Sequence, residues 1–248
     1  MLAVDVLLAG VVIGALYGMF GAGCSAFATP MLVLLGLAPV AAVATPLPAV
    51  LPASLAGAHR YVRAGKLDRR VARLAIVGGA PGTLVGALAS SLVGDRLLLV
   101  ASGTMLLVVG VRMLLPDPAG GSGVRAGRRD RDVVVLAVAF AVGVSTGLLA
   151  NGGGFLLVPA FVLVLGLDSR EAAGTSMVAV GALTVPTLVV HAALGHIDWP
   201  LALVFAVGVL PGSIAGAHLA QRIPPRPARR AFALALIACA VWFVARSA

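Results

Sequence analysis

The sequence predicts an all-α polytopic membrane protein built from two inverted-topology repeats of about five membrane segments each, with short glycine-broken or re-entrant helices. Three observations predict this. Long apolar stretches recur from end to end, each bounded by a short polar or glycine-rich break. Motifs of the first half return in the second at a nearly constant offset. Basic residues crowd some loops and are missing from the matching loop of the other half.

Composition sets the class. Mean hydropathy is +1.09 and only 11% of residues are charged, whereas a soluble domain carries about 25%. A transmembrane barrel needs ten-residue strands of alternating polarity, and the sequence has none. No Lys or Arg precedes the first apolar run and no small-residue cleavage site follows it, so it reads as a membrane segment rather than a cleaved signal. The net charge of +9 does not indicate nucleic acid, because the basic residues sit in short loops between apolar segments. Cys24 and Cys239 lack CxxC spacing and neighbouring histidines, which favours two buried thiols over a metal or redox centre. No cofactor is expected.

The apolar segments cover 3–22, 25–37, 39–59, 71–93 and 96–115, then 133–150, 154–167, 172–193, 200–220 and 229–246. Residues 1–115 and 133–248 therefore form two transmembrane repeats joined by a polar linker at 116–132. The second and seventh segments span roughly 20 Å as helices, short of a hydrocarbon core about 30 Å thick. Both follow a glycine-rich break, so each reads as a half-helix or one arm of a re-entrant hairpin.

An offset of 129 places Gly14, Gly18, Gly23 and Pro30 over Gly143, Gly147, Gly152 and Pro159. Past one inserted residue the offset is 130, and Gly36, Thr45, Gly65 and Asp68 fall on Gly166, Thr175, Gly195 and Asp198. Pro81-Gly82-Thr83 then matches Pro211-Gly212-Ser213. Glycine matches alone mean little in so glycine-rich a chain, but P-G-[TS]-x-x-G-A in register with G-x-[LI]-D indicates duplication.

Charge gives the orientation. Arg60, Arg63, Lys66, Arg69, Arg70 and Arg73 follow the third segment, and Arg125, Arg128, Arg129 and Arg131 mark the linker. Arg222, Arg226, Arg229 and Arg230 precede the last segment. With these loops cytoplasmic, the loop at 194–199, which has no Lys or Arg, is external. Matching loops on opposite faces make the repeats inverted and put both termini outside.

Candidate binding residues cluster at the breaks. Asn151, Gly152, Gly153 and Gly154 interrupt an apolar run, and a broken helix in lipid leaves polar backbone that protein or a ligand must satisfy. The helix that restarts there presents free N–H groups and the positive end of its dipole, which favours an anion. Gly143 and Gly147 are better explained by close helix packing. The first half offers Gly23, Cys24 and Ser25 at the matching place, and Thr45, Thr175 and Ser176 are hydroxyls that can donate to an anion or bond back to their own helix. Pro46, Pro48, Pro52 and Pro186 are expected to kink or loosen the third and eighth segments.

Asp68 and Asp198 each sit in a G-x-[LI]-D turn before a segment, which reads as a helix N-cap rather than a proton carrier. His59 and His218 read as interfacial. His191, just inside the outer edge of the eighth segment, is the best-placed group for proton coupling. Paired carboxylates, metal-ligand clusters and phosphate loops are missing from the membrane segments, so no catalytic or metal-binding residue is expected.

The glycine-spaced segment leading into Gly152-Gly153-Gly154 and Pro159 is similar to the TauE/SafE sulfite exporter family, also called the toluene sulfonate uptake permease family. So are Gly174-Thr175-Ser176, the Gly195-His196-Ile197-Asp198-Trp199 turn, and Pro211-Gly212-Ser213-Ile214-Ala215-Gly216-Ala217 followed by Gln221-Arg222-Ile223-Pro224. The first half departs from that pattern: Gly23-Cys24-Ser25 replaces a glycine triplet and Thr45-Pro46 a Thr-Ser pair. The resemblance implies secondary transport of a small inorganic or organosulfur anion, such as sulfite, thiosulfate or a sulfonate, across a bacterial inner membrane. The expected partners are that anion and the lipid bilayer, with no nucleic acid; a homodimer is compatible with this reading. A five-plus-five inverted-repeat carrier of metabolites or drugs is the alternative, and a membrane enzyme or assembly factor a more distant one.

Overall fold

The computed structural model describes residues 2–20, 25–90, 92–114, 128–149 and 154–219, with further helical positions between 227 and 241. These form α1 (Leu2–Phe20), α2 (Ser25–Leu34), α3 (Pro39–Ala44), α4 (Leu47–Arg63), α5 (Arg69–Ser90), α6 (Asp95–Leu114), α7 (Arg128–Leu149), α8 (Gly154–Leu165), α9 (Ser169–Ala193) and α10 (Trp199–Leu219). No strand occurs among the described residues.

Among the described residues, five spans are long and apolar enough to cross a membrane: Val40–Arg63, Arg69–Ser90, Asp130–Leu149, Arg170–Ala193 and Trp199–Leu219. Their outer faces carry bare aliphatic side chains such as Val77, 67% exposed, and Leu203, 64% exposed. Water would not tolerate so much apolar surface, but lipid does. The second and seventh segments are short helices as expected, 10 and 12 residues long.

Two elements differ from their sequence boundaries. The third segment is broken into α3 and α4 at Thr45–Pro46. Proline has no N–H, so Pro46 cannot donate to the carbonyl four residues back, while α9 runs unbroken through the matching Thr175-Ser176. The seventh helix starts at Arg128, inside the stretch that reads as polar linker. Its Asp132 pairs with Arg70 of α5, with Nε 3.0 Å from Oδ1 and a second contact from Nη2 to Oδ2, which holds polar turns in helical form.

Glycine governs the packing. Helix α5 lies along α7, and α1 along α10. A methyl group on Gly78 would stand 2.7 Å from the Leu136 carbonyl oxygen, and one on Gly10 2.6 Å from that of Phe205. Gly82 and Gly86 press on the carbonyls of Phe140 and Val144; Gly212 and Gly216 press in the same way on Val11 and Ala15. Gly143 and Gly147 abut the carbonyls of Gly79 and Thr83, so their role as packing residues holds. Without a hydrophobic drive between helices in lipid, such close backbone approach supplies the dispersion contacts that hold the pairs together.

At the centre, α4 crosses α9, and each also packs on a flanking pair, α4 chiefly on α10 and α9 chiefly on α5. Leu32, Leu157, Phe161, Met177, Leu183 and Phe205 fill the core between them. Gly65 and Gly195 end α4 and α9 with φ of 68° and 70°, the left-handed region that glycine alone enters without strain. The chain thereby turns within three residues into Asp68 and Asp198. Their carboxylates cap the following helices: Asp68 Oδ1 accepts from Val71 at 3.0 Å, and Asp198 Oδ1 from Leu201 at 3.1 Å.

Candidate functional site

The two threonines singled out by the sequence are fully buried, and each reaches across to the other half of the chain. Thr175 Oγ1 accepts the backbone N–H of Asp68 at 3.0 Å, and Thr45 Oγ1 that of Asp198 at 3.2 Å. Thr45 lies at the α3–α4 break among Val43, Ala44, Leu47, Ile197 and Ala202, so its bond is made in an apolar sleeve. Both hydroxyls act as acceptors here, and neither donates its own proton within the described residues. Those two protons remain available to an acceptor such as an anion oxygen.

Ser176 is also buried, but its hydroxyl donates to the Ala173 carbonyl at 2.9 Å, one turn back on its own helix. Thr146, Thr184 and Thr187 bond back in the same manner. Ser25 opens α2 and Gly154 opens α8, and these two short helices touch each other. Gly23, Cys24, Asn151, Gly152 and Gly153 lie outside the described residues, as does Cys239.

His191 is 1% exposed near the end of α9. Its Nε2 lies 3.1 Å from the Gly147 carbonyl oxygen of α7, and its Nδ1 3.1 Å from Nδ1 of His196 in the following turn. A carbonyl only accepts, so Nε2 carries the hydrogen.

One residue was not legible as a site residue. Arg60 reads as part of a basic loop, yet it lies inside α4, and its Nη1 is buried with no hydrogen-bond partner among the described residues. Leaving a guanidinium nitrogen dry and unpaired is costly, and an anion is what would offset that cost. The signal was its spacing: Arg60 follows buried Ala53 and Gly57 at seven and three residues, on the same helical face. Among the described residues no group of three His, Cys, Asp or Glu is placed to hold a metal ion.

The family model for the sulfite exporter TauE/SafE matches residues 6–243. The chain belongs to the TauE/SafE family. A protein of Xylella fastidiosa (strain 9a5c), named a probable membrane transporter protein, is 30% identical over 96% of this chain and 93% of its own length. Two proteins of Bacillus subtilis (strain 168) are similar across most of both chains. YjnA is 25% identical over 91% of this chain and 93% of its own, and YdhB 27% over 86% and 88%; both carry the same name of probable membrane transporter protein. No solved structure matches the chain. The TauE/SafE protein described here is thus a multi-pass membrane transporter, and the family and the relatives' names are those of transporters rather than enzymes.

Proposed function

We propose that this TauE/SafE protein is a secondary transporter that carries a small sulfur-containing anion, such as sulfite, thiosulfate or an organosulfonate, across the bacterial inner membrane. Its two halves, 1–115 and 133–248, act as inverted repeats around the 116–132 linker, which lies in the cytoplasm with both termini outside. The observation that carries this reading is the exchanged pair of bonds, Thr45 to Asp198 and Thr175 to Asp68, each offset from the other by 130 residues. The exchange extends to the packing: α1 on α10 and α5 on α7, with α4 crossing α9 between them.

Substrate is held where the two short helices begin. The free N–H groups at the starts of α2 and α8 meet a negative charge, with Ser25, Asn151 and the backbone of Gly23, Gly152, Gly153 and Gly154 around it. Thr45 and Thr175, which lie toward opposite ends of α9, line the two ends of the path with their undonated protons; Ser176 and Cys24 also line it, and Arg60 supplies counter-charge. Glycine lets the anion approach the backbone without a Cβ in the way. Rocking of the repeats alternates access, with a proton bound at His191 as the coupling ion.

The test is an uptake panel in proteoliposomes holding sulfite, thiosulfate, sulfoacetate and sulfate, with competition by cationic drugs. Saturable uptake of a sulfur anion, indifferent to the drugs, supports the reading. Drug uptake without anion uptake would replace it with the five-plus-five drug-carrier alternative.

A further inference from the structure

We infer that His196 and His191 form a two-histidine relay that takes up one proton and delivers it to the C-terminal end of α7, beside the break that opens α8. The geometry fixes the starting tautomers. Because Gly147 offers His191 only an acceptor, Nε2 of His191 bears its hydrogen, and neutral His191 must accept at Nδ1. The partner at that atom is Nδ1 of His196, 3.1 Å away, so His196 carries its hydrogen on Nδ1 and leaves Nε2 with a lone pair. His196 is half-buried and His191 is buried, so the outer ring receives the proton and passes it inward, where the two hydrogen bonds of His191 offset the cost of burying its charge.

The step balances. A proton from a hydronium ion bonds to the His196 Nε2 lone pair; the His196 Nδ1–H bond breaks as its proton bonds to His191 Nδ1. His196 ends as the neutral Nε2–H tautomer and His191 as an imidazolium. One proton has been taken up, and both His191 N–H groups donate, one to Gly147 and one to His196.

The destination gives this consequence. The last described turn of α7 carries the Gly147 carbonyl, which His191 bonds from α9. A cation toward the C-terminal end of a helix is favoured by the helix dipole, so protonation tightens the hold of α9 on α7.

Other titrating groups do not compete within the described residues. Residues 133–149 of α7 contain none, nor do 74–90 of α5 or 39–58 of α3 and α4. In the adjoining turn, the Asp198 carboxylate is engaged by the Leu201 N–H. Asp95 and Arg96, at the start of α6, have side chains outside the described residues. The other half has no such pair: Tyr61 and Lys66 stand 130 residues before His191 and His196, and Lys66 instead pairs with Asp168 at 3.8 Å. One proton, through one half, is the stoichiometry.

That binding of this proton drives transport rests on the transport reading above; the proton site itself does not. Nitrogen-15 NMR of histidine-labelled protein in bilayers, titrated from pH 5 to 8, tests the site with no substrate present. The expected result is an Nε2–H tautomer for His191 at high pH and uptake of one proton shared by the two rings. Substituting His196→Gln should shift the His191 midpoint by at least half a pH unit. An Nδ1–H tautomer for His191, or a titration that ignores His196→Gln, overturns the relay. In proteoliposomes His191→Gln should lose at least nine-tenths of the uptake that a pH gradient drives in the wild type. Undiminished gradient-driven uptake rejects the coupling while leaving the NMR result standing.

Discussion

Thr175 Oγ1 accepts the Asp68 N–H across 107 residues of chain. The bond stitches the turn after α4 to the first turns of α9, and Thr45 ties the turn after α9 to the α3–α4 break. Thr175 sits on α9 and Thr45 at the break before α4, and each receives the backbone of the opposite half, so neither half completes its turn alone. Thr175→Val keeps the shape but leaves the Asp68 N–H unpaired. It should lower stability by about 1–2 kcal/mol, and Thr175→Ser should recover most of the loss. Thermal unfolding in detergent checks this, and an unchanged midpoint for Thr175→Val would show that the bond contributes nothing.

The glycine ladders make a second expectation. Gly78→Ala puts a methyl group against the Leu136 backbone, which cannot move without shifting α7. A cost of about 1–3 kcal/mol follows from overpacking. Gly57→Ala meets only the flexible end of Met177, with Sδ at 2.7 Å, and should cost less; Gly94→Ala meets nothing within 4 Å and serves as control. If all three unfold at one temperature, close backbone packing is not what holds α5 to α7.

Much of this was legible in advance for local reasons. The Gly65 and Gly195 turns, the Asp68 and Asp198 caps and the packing role of Gly143 and Gly147 depend on residues within a turn or on small size, which a sequence displays directly. The partners of Thr45 and Thr175 depend on contacts 153 and 107 residues away, which no local pattern encodes. The α3–α4 break was foreshadowed by Pro46, but proline crowding does not say which bond gives way. Arg60 was hidden by its neighbours, because charge clustering near a helix end looks the same whether one member faces water or the core.

Arg60 gives a third expectation. Arg60→Gln removes the half-buried charge and should raise the KM for the anion about 10–150-fold with little change in kcat, the equivalent of one charged hydrogen bond. Arg60→Lys should restore part of it. Initial-rate measurements in proteoliposomes decide the matter; a fall in kcat alone would place Arg60 outside the binding path.

The inverted arrangement predicts opposite labelling of matching turns. With Cys24 and Cys239 replaced by serine, Ala64→Cys and Leu194→Cys put thiols at exposed positions of the two turns. In intact cells an impermeant maleimide should label Leu194→Cys and spare Ala64→Cys until the membrane is opened. Labelling of both from the same side would make the repeats parallel.

The central claim is that a sulfur anion is carried at the glycine break before α8. Sulfite uptake by proteoliposomes of the wild type and of Gly153→Leu, each checked for correct folding by its unfolding midpoint, tests it most directly. Saturable uptake by the wild type and a loss of at least tenfold in Gly153→Leu are expected. Undiminished transport by a well-folded Gly153→Leu protein would contradict it.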